Sequence, residues 1–324
     1  MTRVLTGIQS TGTPHLGNIL GAIEPAIKMA SAEDTESFLF IANLHSLTQI
    51  KDAEVLKENT YHTAAAWLAF GLDPEKTVFY RQSDVPEVSE LMWYLMCHFP
   101  YQRLTLAHSF KDKSDRLSDV NAGLFTYPML MAADILLYDA ELVPVGKDQL
   151  QHLEITRDVA VKVNNSVGKE VLVLPEAKIQ KDTKLIPGTD GHKMSKSRGN
   201  FINIFLPEKK LRKQVMKIET DSTPMEDPKE PEGCNVFELY KLLGSPSEIK
   251  ALSDKYKAGD FGYGHAKQAL FELIIEKYKK EREQFAYYLS NKEELDAILI
   301  QGATKARSVA AHTLSRLRKE LGYS

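Results

Sequence analysis

The sequence predicts a parallel α/β sheet followed by an all-helical domain. Two observations support this fold class. Strand-like and helical patterns alternate along residues 1–204, and the strand pattern disappears beyond Pro207 while helical periodicity continues. Alternating strands and helices are typical of a parallel sheet with helices packed on its faces. We therefore expect two domains, residues 1–204 and residues 205–324.

The predicted elements of the first domain follow one another along the chain. Strands are expected where short apolar runs contain β-branched or aromatic residues, at 2–8, 37–42, 77–82 and 142–145. Helices are expected where apolar residues recur at helical spacing, at 18–30, 52–70, 88–99, 128–138 and 148–164. Asp52 is the expected N-cap of the second helix, and Pro128 is expected in the first turn of the fourth.

The second domain shows only helical patterns. They occupy 207–219, 235–244, 246–257, 265–290 and 293–321. Between the first two lies Thr220–Gly233, a stretch rich in proline and acidic residues that predicts a loop.

Composition excludes several classes of protein. The chain has 324 residues, of which 43% are hydrophobic and 26% charged, as in ordinary globular proteins. The two cysteines, Cys97 and Cys234, are far apart, which favours the reducing cytoplasm over a disulfide framework or a zinc ribbon. The N-terminus does not resemble a signal peptide, and no apolar run reaches the ~20 residues of a membrane helix. A net charge of −3 neither demands nor excludes a nucleic-acid partner.

A glycine-rich turn joins the first predicted strand to the first helix. It contains Gly7, Gly12 and Gly17 and ends on the order P-H-L-G-N at residues 14–18. Such a turn presents backbone N–H groups and a helix N-terminus to a phosphate. The spacing is not that of a dinucleotide-binding motif, and Thr13 stands where a P-loop has lysine. From this segment alone, a tight loop without a ligand explains the glycines equally well.

A second glycine-rich segment contains two lysines three residues apart. Lys193 and Lys196 lie in K-M-S-K-S, with glycines at 188, 191 and 199 on either side. Lysine is a compact cation suited to phosphate, and a mobile loop can bring it to a site where charge develops. An arbitrary pair of this kind is more often a solvated basic loop.

A carboxylate lies within an apolar helical pattern. It is Asp134, which shares one helical face with three other residues. Tyr127, Met131, Asp134 and Tyr138 are spaced at i, i+4, i+7 and i+11. A buried carboxylate is costly unless it is paired. An apolar patch with one acceptor suits an aromatic ring that carries a single N–H, whereas the alternative is an Asp134 paired with a histidine or arginine of the core.

The chain that follows forms a second potential ligand edge. Residues 143–149 (V-P-V-G-K-D-Q) contain a strand end, a glycine and a polar helix start. In parallel sheets ligands bind at the carboxyl ends of the strands. The alternative is ordinary helix capping by Asp148.

These motifs together resemble those of the class I aminoacyl-tRNA synthetases, in particular the tryptophan branch. Residues 15–18 resemble the "HIGH" signature, with Asn18 in place of its last histidine, and residues 193–197 match "KMSKS" letter for letter. Residues 127–138 and 143–158 are similar to stretches of tryptophanyl enzymes, so the resemblance covers nearly the whole chain. It implies a Rossmann-like catalytic domain, with the KMSKS loop at 187–200, and a helical anticodon-binding domain.

The resemblance also implies a set of ATP-site residues. The catalytic ones would be His15 and Asn18, which hold phosphate oxygens, and Lys193 and Lys196, which balance phosphate charge together with Mg²⁺. The remaining ATP contacts would come from Gln9, Gly17, Gly146, Asp148, Met194, Ser195 and Ser197. No protein metal site is implied.

For the amino acid, the resemblance implies that Asp134 accepts the indole N–H of tryptophan. The other implied contacts are Gly7, Gln9, His45, Tyr127, Met131, Ile135, Val143, Val145 and Gln149. Two departures bear on this pocket: Leu5 stands where many members have phenylalanine, and Asn43-Leu44 precede His45 where Asp-Gln is commoner.

The implied partners are ATP, L-tryptophan and tRNA(Trp), with a homodimer across which the tRNA lies and no membrane. An inserted segment at about 84–125 is expected to form the dimer surface, although a buried core helix would explain Met92, Trp93 and Tyr94 equally well. Lys111 and Lys113 would reach phosphate or tRNA. Cys234 resembles one ligand of an iron–sulfur site present in some members, but the other three cysteines are absent, so no cluster is expected.

Two other functions remain open from the sequence. A tyrosyl enzyme shares the fold and both signatures, and it differs in needing a partner for a phenolic hydroxyl. A regulator that binds tRNA or amino acid without catalysis is the other, against which both intact signatures argue.

Overall fold

The structure is a computed structural model that describes residues 1–32, 34–105, 120–146, 149–179 and 186–323. Within these ranges five parallel strands form one sheet. They are β1 (Thr2–Ile8), β2 (Thr35–Ile41), β3 (Thr77–Arg81), β4 (Leu142–Val145) and β5 (Glu176–Ile179). The fold class predicted from the sequence is confirmed, with a parallel sheet first and helices after it.

Helices cover the sheet and make up most of the described C-terminal half. The first, α1, has three stretches, Leu16–Asn18, the π-helical Ile19–Ile23, and Glu24–Ala30. The others of the sheet-bearing half are α2 (Asn43–Ser46), α3 (Ala53–Ala69), α4 (Glu87–His98), α5 (Tyr101–Thr105), α6 (Ala122–Leu136) and α7 (Leu150–Val167). Those of the C-terminal half are α8 (Glu208–Met216), α9 (Asn235–Leu243), α10 (Pro246–Ala258), α11 (Tyr263–Lys277), α12 (Lys279–Ser290) and α13 (Lys292–Glu320).

The order of the strands positions the site. Across the sheet they run β3-β2-β1-β4-β5, so the chain moves outward on one side of β1 and then returns to build the other side. β1 pairs with β2 from Thr2↔Thr35 to Ile8↔Ile41, and with β4 at Val4↔Leu142. The direction of winding therefore reverses between β1 and β4, and a crevice opens beyond the carboxyl ends of these two strands. Ligands of open α/β sheets bind at such a switch point.

Several boundaries differ from the sequence-based expectation. Pro128 does not lie in the first turn of its helix: α6 begins at Ala122, capped by the Asn121 side chain, and Pro128 lies inside it. The apolar pattern before residue 128 is continuous with the rest, and the helix continues through the proline. The pattern at 265–290 contains two helices, α11 and α12, which meet at Tyr278. β5 was not predicted, because its four residues, Glu176–Ile179, are too short to give an alternation.

Other local predictions are confirmed. The Asp52 carboxylate caps α3 by accepting the N–H of Val55 at 2.9 Å. Thr220–Gly233 contains neither helix nor strand.

The last helix, α13, packs back onto the sheet. A Cβ on Gly302 would lie 1.8 Å from the carbonyl oxygen of Phe79 in β3, so the helix backbone touches the strand backbone. Ion pairs tie the same helix to the first half: Arg316–Asp139 at 2.6 Å and Lys169–Glu320 at 2.8 Å. The edge of the sheet at β3 is therefore covered, which protects an otherwise open strand edge. The domain boundary near residue 205 stays a prediction.

Candidate active site

A cavity of about 530 Å³ lies at the switch point. All ten residues that were predicted to contact the amino acid line this cavity: Gly7, Gln9, His45, Tyr127, Met131, Asp134, Ile135, Val143, Val145 and Gln149. Gly146, predicted to contact ATP, also lines it. They come from the carboxyl ends of β1 and β4, from α2, from one face of α6 and from the start of α7. The walls are largely apolar, which suits a buried aromatic ring.

The sequence missed part of this lining. Phe40 and Ala42 come from the end of β2, His152 from α7, and Gly21 and Ala22 from α1. Gly21 and Ala22 belong to the π-helical stretch Ile19–Ile23, which turns them toward the cavity. Single π-helical turns are frequent at functional sites, but no sequence pattern announces one. Tyr138, predicted on the same helical face as Asp134, lies outside the lining and stacks on Phe38 with ring centroids 4.9 Å apart.

Asp134 is the buried acceptor at the floor of the cavity. Its side chain is almost completely buried, and three contacts reach its carboxylate. His45 Nε2 lies 2.8 Å from Oδ2, and the Gln82 side-chain N–H₂ donates to Oδ1 at 2.8 Å and to Oδ2 at 2.9 Å. Burial raises the pKa of Asp134, while the hydrogen bonds from His45 and Gln82 lower it. The structure thus has both features that the sequence left as alternatives, a histidine partner and a cavity in front of the carboxylate.

His45, which was predicted to contact the amino acid, has a polar partner inside the site. It lines the cavity as expected, but its Nε2 is engaged with Asp134. Its ring meets Tyr127 edge-on at 6.2 Å, and the Tyr127 hydroxyl lies 2.5 Å from His152 Nε2. His45 therefore forms part of the cavity wall, where Asp134 holds its ring.

The start of α1 holds the first signature. His15 caps the helix: its Nδ1 accepts the backbone N–H of Asn18 at 3.2 Å, and the Asn18 side-chain oxygen accepts the N–H of His15 at 3.1 Å. Because Nδ1 is an acceptor here, the ring proton of a neutral His15 is on Nε2, where it can be donated to a ligand. Thr13 contacts His62 at 2.6 Å, so the threonine in place of a P-loop lysine helps to hold the turn.

The lysine loop folds over this turn. The Lys196 ammonium donates to the Gly12 carbonyl oxygen at 2.7 Å, and Met194 is buried with its sulfur accepting the N–H of Gly17 at 3.2 Å. A Cβ on Gly17 would lie 3.2 Å from the Met194 Cβ, so in this conformation methionine occupies the space beside Gly17. The two signatures, nearly 180 residues apart in the chain, are therefore in direct contact.

Asn200 holds the shape of the loop. Its buried side chain accepts the N–H of Ser195 at 2.7 Å and donates to Asp190 at 2.7 Å. The Ser195 and Ser197 hydroxyls lie 2.8 Å apart, and Lys193 is exposed. Of the two predicted lysines, Lys196 thus points into the crevice in this conformation and Lys193 faces solvent.

Burial lowers the pKa of one residue in each signature, His15 and Lys196. Burial, and secondarily the charge of Lys196, lower the pKa of His15 to about 4, so His15 is neutral at pH 7. Burial also lowers the pKa of Lys196 to about 8. A partly desolvated cation beside an N–H donor is an arrangement that an anionic ligand would stabilise.

Some predicted site residues fall outside the described ranges. These are Asp148, Lys111 and Lys113, and with them part of the predicted dimerisation segment 84–125.

Cys234 is half-buried, with its sulfur 3.5 Å from the Tyr256 hydroxyl. Within the described ranges no three histidine, cysteine or acidic side chains gather as metal ligands would. No helix in these ranges combines the length and apolar character needed to span a membrane.

Comparison with known proteins gives one consistent result. Residues 1–279 match the model of the family described as tRNA synthetases class I (W and Y). A tryptophan–tRNA ligase of Campylobacter jejuni is 48% identical over 320 residues, 99% of each chain, and that of Rhodopirellula baltica is equally similar over the same length. The crystal structure of the Campylobacter jejuni enzyme with ADP and tryptophan superposes with a TM-score of 0.95, covering 99% of this chain and all of the other.

Proposed function

We propose that this chain, which belongs to the class I tRNA synthetases of the tryptophan and tyrosine group, is a tryptophan–tRNA ligase. The observation that carries the proposal is a buried carboxylate, Asp134, facing an apolar cavity beside two contacting signature segments. A Campylobacter jejuni relative of 48% identity has been crystallised with ADP and tryptophan, which supports the same ligands here.

The proposed reaction has two steps. The tryptophan carboxylate attacks the α-phosphorus of ATP, the bond to the bridging oxygen breaks, and pyrophosphate leaves with its electron pair. The acyl group of the adenylate then passes to a hydroxyl of the terminal adenosine of tRNA(Trp), and AMP leaves. No covalent enzyme intermediate is required, so catalysis consists of positioning and charge neutralisation.

The roles follow from the geometry of the crevice. Neutral His15 donates from Nε2 to a phosphate oxygen, and Asn18 holds the histidine in that orientation. Lys196 leaves the Gly12 carbonyl, a neutral acceptor, for the more strongly attracting phosphates. Lys193 lies on the same loop and can join it when the loop moves. Gln9 and Gly146 line the cavity just beyond the ends of β1 and β4.

Mg²⁺ would enter with ATP. Phosphate oxygens and water would hold the ion, as is usual for Mg²⁺ at nucleotide sites. It would supply further positive charge to the pyrophosphate as it leaves.

The outward face of α8 supports a tRNA partner. Its cations and the residue after its end, Lys209, Lys210, Arg212, Lys213 and Lys217, are all exposed. At 100° per residue the four lysines lie opposite the buried Leu211 and Val215, on one face without an acidic side chain. Arg212 lies to the side of this face and donates to the Gln268 side chain at 2.8 Å. No ion pair in the described chain neutralises them, so this face offers a line of charge to a phosphate backbone. The remaining helices would read the anticodon.

A homodimer is part of the proposal. Trp93 on α4 is 61% exposed, which a buried core helix does not explain. Large exposed aromatic side chains are enriched at protein interfaces.

The first test is ATP–pyrophosphate exchange with each aromatic amino acid. We expect exchange with tryptophan to exceed exchange with tyrosine by more than about 10³-fold, because the apolar cavity leaves a phenolic hydroxyl poorly paired. Preference for tyrosine would establish the rival enzyme. Absence of exchange with any amino acid, in a protein that still binds tryptophan or tRNA, would establish a regulator. Loss of exchange in Lys196→Ala with tryptophan binding retained would support the enzyme.

A further inference from the structure

Gln82 lies behind the proposed tryptophan pocket and takes no part in the reaction proposed above. It opens the short 3₁₀ turn Gln82–Asp84 that follows β3, and it is 1% exposed. It does not line the cavity, so it cannot touch the substrate directly. Its whole side chain is committed to other residues of the site.

The hydrogen bonds of Gln82 fix the direction of its amide. The backbone N–H groups of Leu44 and His45 point at its side-chain oxygen, at 3.1 and 3.4 Å. A backbone N–H can only donate, so the atom facing it must be the carbonyl oxygen. The N–H₂ group is then forced toward Asp134, where it meets both carboxylate oxygens at 2.8 and 2.9 Å.

This orientation decides what Asp134 can do. A carboxylate that receives N–H donors from behind is stabilised as an anion, and as an anion it only accepts hydrogen bonds. Two carboxylate oxygens offer about four acceptor positions, and the described residues fill three with Gln82 and His45. Since Asp134 lines the cavity, the acceptor capacity that remains is available to a ligand there.

We propose that Gln82 is a positioning residue for substrate specificity, which holds Asp134 as an oriented acceptor for a ring N–H donor. The inference deepens the proposed function and rests on it. His45 also donates to Asp134, but it comes from the cavity wall, whereas Gln82 is anchored from behind by two backbone groups. Gln82 therefore holds both carboxylate oxygens of Asp134 from the side away from the cavity.

The test compares two isosteric substrates. L-Tryptophan has a ring N–H, whereas β-(1-benzothiophen-3-yl)-L-alanine has sulfur in its place and offers no donor. In Gln82→Met, which keeps the length of the side chain and loses its amide, kcat/KM for tryptophan in pyrophosphate exchange should fall about tenfold or more. The kcat/KM for the sulfur analogue should change far less. The ratio of kcat/KM for tryptophan to kcat/KM for the analogue should therefore fall strongly.

Asn43→Ala is the matched control. Asn43 clamps the same two turns together by donating to the Ser83 hydroxyl at 2.8 Å and accepting the Ser83 N–H at 3.0 Å, without touching Asp134. This variant should leave the substrate ratio unchanged. If Gln82→Met lowers both substrates by the same factor, as loss of packing would, the inference is wrong.

A crystal structure of the native chain with tryptophan tests the inference even if Gln82→Met does not fold. Gln82 should remain within hydrogen-bond distance of Asp134 in that complex, and an Asp134 that turns away from it to meet the ring would overturn the inference. The proposed function fails separately: native protein without tryptophan-dependent exchange refutes it, whereas exchange with an unaltered ratio in Gln82→Met refutes only the role of Gln82.

Discussion

At the scale of single residues, burial sets the chemistry of the site more than residue type does. Asp134 is an acceptor because two donors share its buried carboxylate, and His15 is neutral because burial and a nearby cation disfavour its proton. Lys196 is half-buried and rests on a carbonyl oxygen, which compensates an ammonium only weakly. Each group can thus form a further hydrogen bond or ion pair with a bound ligand.

Lys196 predicts the pH dependence of activation. Its pKa of about 8 means that the ammonium is lost as the pH rises through that value. At saturating tryptophan, kcat/KM for ATP in pyrophosphate exchange should therefore decline on the alkaline side with an apparent pKa of about 8. The limb for kcat should lie higher, because bound phosphates favour the charged form.

Lys196→Arg separates this lysine from other titrating groups. A guanidinium stays charged throughout the range, so the variant, even if slower, should lack the alkaline limb. The same limb in the arginine variant would assign the titration to another group.

At the scale of elements, two helices, α1 and α8, carry features of the proposed binding sites. The π-helical stretch of α1 contains Gly21 and Ala22, which line the cavity, and the His15 side chain caps the start of the same helix, where we propose that the phosphates bind. In the C-terminal half, α8 separates an apolar face from a purely cationic one.

The cationic face of α8 predicts how tRNA binding responds to charge removal. Replacing Lys209 and Lys213 together by glutamine should raise KM for tRNA by about tenfold. It should also reduce the slope of log K against log salt by up to about 2, because each lysine would neutralise one phosphate. Tryptophan-dependent pyrophosphate exchange should not change, because neither lysine reaches the crevice.

Lys250 and Lys257 on α10 provide the charge-matched control. They are also exposed lysines of the C-terminal half, and Lys250 is already paired with Asp254 at 2.7 Å. Their double glutamine variant should retain the native KM for tRNA. Equal effects of the two pairs would mean that overall charge, and not the α8 face, governs tRNA binding.

At the scale of the whole molecule, the C-terminal helix α13 completes the sheet-bearing half. One buried apolar cluster includes Leu16 and Trp67 from that half together with Val236 and Leu270 from the helical half. α13 then crosses β3 with backbone contact at Gly302. Packing against the sheet thus extends to the end of the chain, although the sequence pattern changes near residue 205.

Gly302 predicts the effect of this contact on stability. Alanine there would place a methyl group 1.8 Å from the Phe79 carbonyl oxygen, and neither backbone can move freely. Gly302→Ala should cost about 3 kcal/mol and lower Tm by roughly 4–5 °C, as calorimetry would measure. Gly264→Ala is the control: it is an exposed helical position with no atom near the added methyl, so its Tm should be unchanged or slightly raised. Equal Tm values for the two variants would contradict the backbone contact.

The sequence by itself determined the class of fold, the two signature segments and ten of the residues that line the cavity. These depend on periodicity and on motifs that are local in the chain, and helical spacing alone places Met131 and Asp134 on one face. The tertiary structure alone decided what Asp134 is bonded to, because Gln82 lies 52 positions away and its only signal is a polar residue at a strand end. It also decided the π-helical turn, the contact of Lys196 with Gly12 and the return of α13 to β3. Hydrogen bonds and close backbone contacts between distant segments depend on atomic distances that residue spacing does not encode.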